Sequence, residues 1–268
     1  MRCSSRCSPR PGSGHSSSPS NPAAQVFRSR QVAAPVSAHI TRQCAPQSAE
    51  PQSLVWIFDL DDTLHYATPG VFPAINRSMT AYVAEQIGLD ENEASALRVR
   101  YWHRYGATLI GLMKHHGTAP HHFLWHTHQF DDLAGLLVYE GALRSILRRL
   151  PGRKVVFSNS PRHYAEAVLR EMRLSPLFEA VYSIESTRFQ PKPQRAGFLR
   201  LLRDLGLAPT RCIMVEDSAA NLRVAKFLGM QTVLVSRRPR RPAFVDVRIE
   251  SILDLARLPH RLQGPGRN

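Results

Sequence analysis

Five short, unbroken apolar runs constrain what this chain can fold into: Leu54-Val55-Trp56-Ile57-Phe58, Lys154-Val155-Val156-Phe157, Ala180-Val181-Tyr182-Ser183-Ile184, Cys212-Ile213-Met214-Val215 and Thr232-Val233-Leu234-Val235. Runs of this length without polar alternation are what strands buried on both faces require. Between the later runs the pattern changes period. Leu143/Ile146/Leu147/Leu150, Ala165/Val168/Leu169/Met172 and Phe198/Leu201/Leu202/Leu205 recur at i, i+3, i+4, i+7, one apolar stripe per helix. Strands alternating with such helices predict an α/β fold with a doubly wound, parallel, Rossmann-like sheet.

The first run stands apart. From Val71 to Leu137 the sequence carries helix-like segments and no strand-like run. A compact domain does not carry so long a stretch as bare loop, so an inserted α-helical cap is expected. The organisation read from the chain is therefore a core built from 51–65 and 138–258, a cap at 66–137, and flanking segments at 1–50 and 259–268.

Charge follows the same division. The 268 residues total +14, but Met1 to Glu50 holds six arginines against one acid, and Arg237 to Asn268 eight arginines against three acids. The excess therefore sits mainly at the ends. The Ser-, Pro- and Arg-rich first 50 residues lack apolar periodicity and read as disordered, either an organelle transit peptide or an extension without function, and the basic end 259–268 reads as disordered. Basic ends keep a nucleic-acid-binding module open as the reading of a different class. No stretch approaches 18 consecutive apolar residues, so neither membrane spanning nor a secretory signal is expected. Three of the four cysteines (3, 7 and 44) fall in the first segment and Cys212 in an apolar run, so no disulfide framework arises and a cytoplasmic, reducing setting fits.

The strand ends carry the chemistry. Ligands of open α/β sheets bind beyond the carboxyl ends of the strands, and there the chain puts Asp59-Leu60-Asp61-Asp62-Thr63, then Ser158-Asn159-Ser160-Pro161, then Pro191-Lys192-Pro193, then Glu216-Asp217-Ser218. Each motif alone also reads as a polar turn or a helix cap, with Ser160 as the cap before a helix opening at Pro161. Together they bring carboxylates, a hydroxyl and a lysine to one edge. Paired acids suit a nucleophile with a proton donor, and hard carboxylate oxygens suit magnesium.

This set resembles the haloacid dehalogenase-like superfamily, whose four motifs correspond to Asp59-Leu60-Asp61-Asp62-Thr63, Ser158, Lys192 and Glu216-Asp217 in order. The resemblance implies that Asp59 is the nucleophile forming an aspartyl-phosphate and that Asp61 is the general acid and base. It further implies that Asp59, the Asp61 carbonyl and Asp217 hold Mg2+ with Glu216 in support, and that Ser158, Asn159 and Lys192 bind the phosphate. Tyr105-Gly106-Ala107-Thr108-Leu109-Ile110-Gly111-Leu112, Phe189-Gln190-Pro191-Lys192-Pro193 and Glu216-Asp217-Ser218 through Leu228-Gly229-Met230 look like the pyrimidine 5′-nucleotidase branch. Ser158, Ser160 and Gln129 depart from that branch, which usually has Thr, Gly and Asp there. The implied activity is hydrolysis of a small phosphomonoester, foremost a nucleoside 5′-monophosphate. The alternatives of the same fold are a phosphoglycolate or sugar-phosphate phosphatase and a phosphoglucomutase-like transferase.

In the cap, Tyr105, His128 and Asp131 are the candidate substrate contacts. Six of the twelve histidines lie between His115 and His128, and His122 and His126 share the i, i+4 spacing of a transition-metal pair. No cysteine or glutamate completes a ligand set, so exposed cap histidines or substrate contacts are the competing reading.

Overall fold

The computed structural model describes residues 54–258, and the readings of 1–50 and 259–268 lie outside them. The elements run β1 (Val55–Phe58), α1 (Val71–Ile87), α2 (Glu91–Tyr105), α3 (Thr108–His116), α4 (Pro120–Thr127), α5 (Leu133–Leu136), α6 (Leu143–Arg149) and β2 (Arg153–Phe157). They continue with α7 (Arg162–Glu171), β3 (Ala180–Tyr182), α8 (Arg195–Leu205), β4 (Cys212–Glu216), α9 (Ala219–Phe227), β5 (Gln231–Val235) and β6 (Val247–Ile249). All strands pair in parallel, in the order β3-β2-β1-β4-β5-β6. The expected doubly wound sheet is therefore present. Strand order reverses about β1, which pairs β2 on one side and β4 on the other, and this switch point is where a crevice opens.

Every residue of β1 is buried, and its alternation divides the core. Trp56 and Phe58 join Val156, Ile213, Val215 and Val233 on one face, covered by α6 and α7. Val55 and Ile57 join Val155, Phe157, Cys212 and Met214 on the other, covered by α8 and α9. Each large side chain fully buried this way contributes about 1.5–3 kcal/mol, which is why runs without polar alternation mark these strands. The third run is shorter than its apolar stretch: β3 ends at Tyr182, and Ser183 and Ile184 leave the sheet. β6 was not legible as a run, being three residues with only Ile249 buried.

Helices α1 to α5 occupy the expected insert. Tyr82, Val83, Ala94, Leu97, Tyr101, Leu109, Leu112, Phe123 and Leu124 form a cap cluster that Ile184, just after β3, joins from the core, whereas Val71 and Ile75 at the start of α1 belong to the main core. Helix α1 thus ties cap to core. A capping box opens α2, with Asp90 accepting from the Glu93 amide and Glu93 from the Asp90 amide. Gly106 closes α2 at φ 80°, a left-handed turn that leads straight into α3, and a Cβ on Gly111 would lie 2.2 Å from the Tyr101 ring, so α2 and α3 pack through a glycine.

Candidate active site

Four strand ends converge at the switch point. The Asp59 amide donates to Val215 O at 3.0 Å, extending the β1–β4 ladder by one residue and delivering Asp59 to the edge. The Ser158 amide does the same for β2, donating to Tyr182 O at 2.9 Å. Glu216 ends β4 and Asp217 follows it. Buried Lys192 arrives on the loop before α8, and its ammonium donates to Asp59 Oδ1 at 2.6 Å, Phe157 O at 2.7 Å and Glu216 Oε2 at 2.9 Å. Three protons thus meet three acceptors. Asn159 lines the cavity, and its side chain pairs with the Lys192 backbone: its Nδ2 donates to Lys192 O at 3.0 Å and its Oδ1 accepts from the Lys192 amide at 2.7 Å. Its carboxamide fixes the lysine's backbone.

Carboxylate oxygens of Asp59, Glu216 and Asp217 lie within 4.8 Å of one another. Burial raises the Asp59 pKa to about 8, with Glu216 adding repulsion and Lys192 opposing both. Burial likewise raises Glu216 to about 7 and Asp217 to about 6. Burial alone would lower the Lys192 pKa, but the charges of Asp59 and Glu216 outweigh it and raise it. Three crowded carboxylates against one ammonium form a hard-oxygen donor set with uncompensated charge, which fits a divalent cation such as magnesium. The set contains the carboxylates of Asp59 and Asp217 and that of Glu216, expected in support.

Asp61 is otherwise engaged. Tyr164 donates to its Oδ1 at 2.6 Å, Ser160 donates to its Oδ2 at 2.6 Å, and His65 Nε2 lies 3.1 Å from Oδ1. Burial would raise this carboxyl's pKa, but the His65 contact and the two hydroxyls lower it on balance. Ser160 is therefore not the helix cap that its position implied; α7 starts at Arg162 without a side-chain cap, and the Ser160 hydroxyl turns to the site. The Ser158 hydroxyl accepts from the Ser160 amide at 3.0 Å, which leaves its proton free for a ligand.

Above this edge lies a cavity of about 610 Å³ between core and cap, lined below by Asp59, Asp61, Ser158, Asn159, Lys192, Glu216 and Asp217. Of the three cap candidates, His128 lines it; burial lowers its pKa to about 4, so the imidazole is neutral. Tyr105 does not line it, because its hydroxyl pairs with His115 Nε2 at 2.6 Å. Asp131 borders a separate cleft with Gln129, Phe130 and Asp132. Nor do the cap histidines assemble a set of three metal ligands, the acidic group being the only one among the described residues. His122 pairs with Tyr82 and His116 with Tyr101, so these rings pack the cap. Sequence reasoning missed His65, Ser160 and Tyr164, and, in the roof, Asn76, Arg98 and Trp102. The one available signal was a hydroxyl, Tyr164, opening an otherwise apolar helical stripe.

No helix among the described residues is long and apolar enough to cross a membrane. A phosphoglycolate phosphatase from Rhodospirillum rubrum is 32% identical over 195 residues, 67% of this chain and 78% of that protein. Phosphate metabolism protein 8 of Saccharomyces cerevisiae is 25% identical over 201 residues, 69% of this chain but only 62% of that protein's length. Among solved structures, a HAD phosphatase from Thermococcus onnurineus superposes with a TM-score of 0.57 at 20% identity, over 77% of this chain and 97% of that one, a likeness of fold. The family model of haloacid dehalogenase-like hydrolases matches residues 55–229, which takes in all four strand-end motifs and the cap, and the chain belongs to that family.

Proposed function

We propose that the protein is a magnesium-dependent phosphomonoester hydrolase acting through an aspartyl-phosphate at Asp59, with a pyrimidine nucleoside 5′-monophosphate as substrate. The observation that carries this reading is the Lys192 ammonium shared between Asp59 and Glu216 beside Asp217, a nucleophile set next to both its counter-charge and a cation site. Asp59, Glu216 and Asp217 would hold magnesium, with the Asp61 carbonyl as the further ligand that the family resemblance implies. When bound, the ion supplies charge neutralisation for an anionic nucleophile meeting an anionic phosphate.

The residues divide the work as follows. Lys192 and the Ser158 hydroxyl bind phosphoryl oxygens. An Asp59 oxygen bonds to phosphorus as the bond to the leaving oxygen breaks, and Asp61 gives that oxygen a proton. Water then attacks phosphorus, Asp61 takes its proton, and the bond to Asp59 breaks to release phosphate. Hydrogen bonds from Tyr164, Ser160 and His65 keep Asp61 ionised without substrate; an incoming dianion raises its pKa toward the acid role. Cap and core together exclude bulk water.

The size of the cavity and its apolar cap side, which includes Phe72, Met79, Val99 and Trp102, favour a planar base over a two-carbon acid. Phosphoglycolate is the second reading, favoured by the name of the relative at 32% identity. The sole cysteine among the described residues, Cys212, is free and buried, which supports a reducing, cytoplasmic setting. The test is turnover of uridine and cytidine monophosphates, phosphoglycolate and sugar phosphates with and without magnesium. Magnesium-dependent hydrolysis led by the two nucleotides is expected; indifference to them, with phosphoglycolate turned over, overturns the nucleotide assignment.

A further inference from the structure

The roof of the cavity, opposite the strand ends, holds a polar group that the proposed chemistry leaves unused. Helix α1 contributes Asn76 there, and helix α2 contributes Arg98 and Trp102. Among the residues lining the cavity only Lys192 and Arg98 are lysine or arginine, and Lys192 sits at the core beside Asp59 and Glu216, where the proposed chemistry uses it on the phosphoryl group. Arg98 is therefore the cation left to meet whatever the phosphoryl group is attached to.

Arg98 is held in place. Its Nε donates to Thr80 Oγ1 at 3.3 Å and its Nη1 to Asn76 Oδ1 at 2.8 Å, while its carbonyl accepts from Thr108 Oγ1 at 3.1 Å at the start of α3. Two of five guanidinium N–H groups are thus used, and both on Nη2 stay available. Because Asn76 Oδ1 is occupied by the arginine, the carboxamide offers its Nδ2 protons onward. Trp102 stands beside it on the next turn of α2, 55% exposed although it lines the cavity, with an indole large enough to cover a flat ring.

From this geometry we infer that Arg98, Asn76 and Trp102 form a base-reading subsite, in which the arginine and amide donate to the carbonyl oxygen O2 common to uracil and cytosine and the indole stacks on the ring. The inference rests on the nucleotide reading above and deepens it. A donor pair held by side-chain partners discriminates by the position of the acceptor: adenine carries no carbonyl oxygen and its ring nitrogens accept from other places on a larger ring, so adenosine monophosphate should be the poorer substrate. A charge-assisted hydrogen bond of this kind accounts for about a 10- to 100-fold preference, and a stacked ring for about a further tenfold.

The experiment compares kcat/KM for uridine monophosphate, adenosine monophosphate and phenyl phosphate, whose leaving group accepts nothing at that position, in the full chain and in Arg98→Met, Arg98→Lys and Trp102→Leu. In Arg98→Met the ratio of uridine monophosphate to phenyl phosphate should fall about 10- to 100-fold, through KM, and Arg98→Lys should recover part of it. In Trp102→Leu the ratio should fall about tenfold. An unchanged ratio in Arg98→Met, whether both substrates lose equally or neither does, overturns the subsite while the nucleotide reading stands. A wild-type chain that turns over phenyl phosphate but no nucleotide overturns the nucleotide reading itself.

Discussion

Tyr164→Phe isolates what the hydrogen bonds around Asp61 contribute. The substitution deletes one hydroxyl and keeps a fully buried ring that packs against His128 and Phe130. The lost bond is short, 2.6 Å to Asp61 Oδ1, and its acceptor is ionised, so it contributes about 1.5–3 kcal/mol to the charged form. At about 1.4 kcal/mol per pKa unit, removing it raises the Asp61 pKa by roughly one to two. In the proposed mechanism Asp61 carries a proton to serve the leaving oxygen in the first step. The descending, alkaline limb of the kcat profile, which reports the substrate complex in which Asp61 is the acid, should therefore move to higher pH by about one to two units. The ascending limb, which reports the ionised nucleophile, should stay in place. Folded stability should fall near neutrality, because a carboxylate with a depressed pKa contributes stability above its unfolded value and loses it as pH drops. A descending limb that does not move, or a uniform loss of rate at every pH, refutes the idea that Tyr164 acts on the proton of Asp61.

Three further outcomes follow from the same site. Lys192→Met leaves Asp59 and Glu216 buried without their ammonium, so urea denaturation at pH 8 should show a loss of about 3–5 kcal/mol together with abolished turnover; a loss below about 1 kcal/mol contradicts the pairing. In metal-free protein, Asp59, Glu216 and Asp217 titrate at about 8, 7 and 6, above their ordinary values of 3.8, 4.5 and 3.8. The folded state then binds more protons than the unfolded one between about pH 4 and 8, so stability should decline across that window. Magnesium should raise the urea midpoint at pH 8 more than at pH 5, because it requires the ionised carboxylates. A metal-free midpoint that rises from pH 5 to pH 8 argues against this cluster.

What the sequence disclosed and what it hid have one physical basis. Strands β1, β2, β4 and β5 are buried on both faces, so their runs stand out without reference to anything distant. Their carboxyl ends are where Asp59, Ser158, Glu216 and Asp217 sit, and reading the strands was enough to locate those residues. β6 buries one residue of three and left no such mark. The partners of Asp61 were hidden for another reason: Ser160 and Tyr164 are 99 and 103 residues away in sequence. Ser160 obeyed a local capping rule, and the fold overrode that rule by supplying a carboxylate. Arg98 was concealed in the charged stretch Arg98-Val99-Arg100-Tyr101-Trp102-His103-Arg104, where nothing local separates a side chain turned to the cavity from one turned to solvent. Tyr105 and Asp131 were the converse case, cap residues that one branch's pattern brought forward and whose side chains the fold turns elsewhere.

The covalent role proposed for Asp59 is open to direct measurement. Wild-type protein is mixed with magnesium and a phosphomonoester that it turns over, quenched in acid within a turnover, digested and mapped by mass spectrometry. A phosphoryl group on Asp59, absent from Asp59→Asn along with turnover, is the expected result. A phosphoryl group on any other residue, or hydrolysis that persists in Asp59→Asn without reversion to aspartate, contradicts the mechanism.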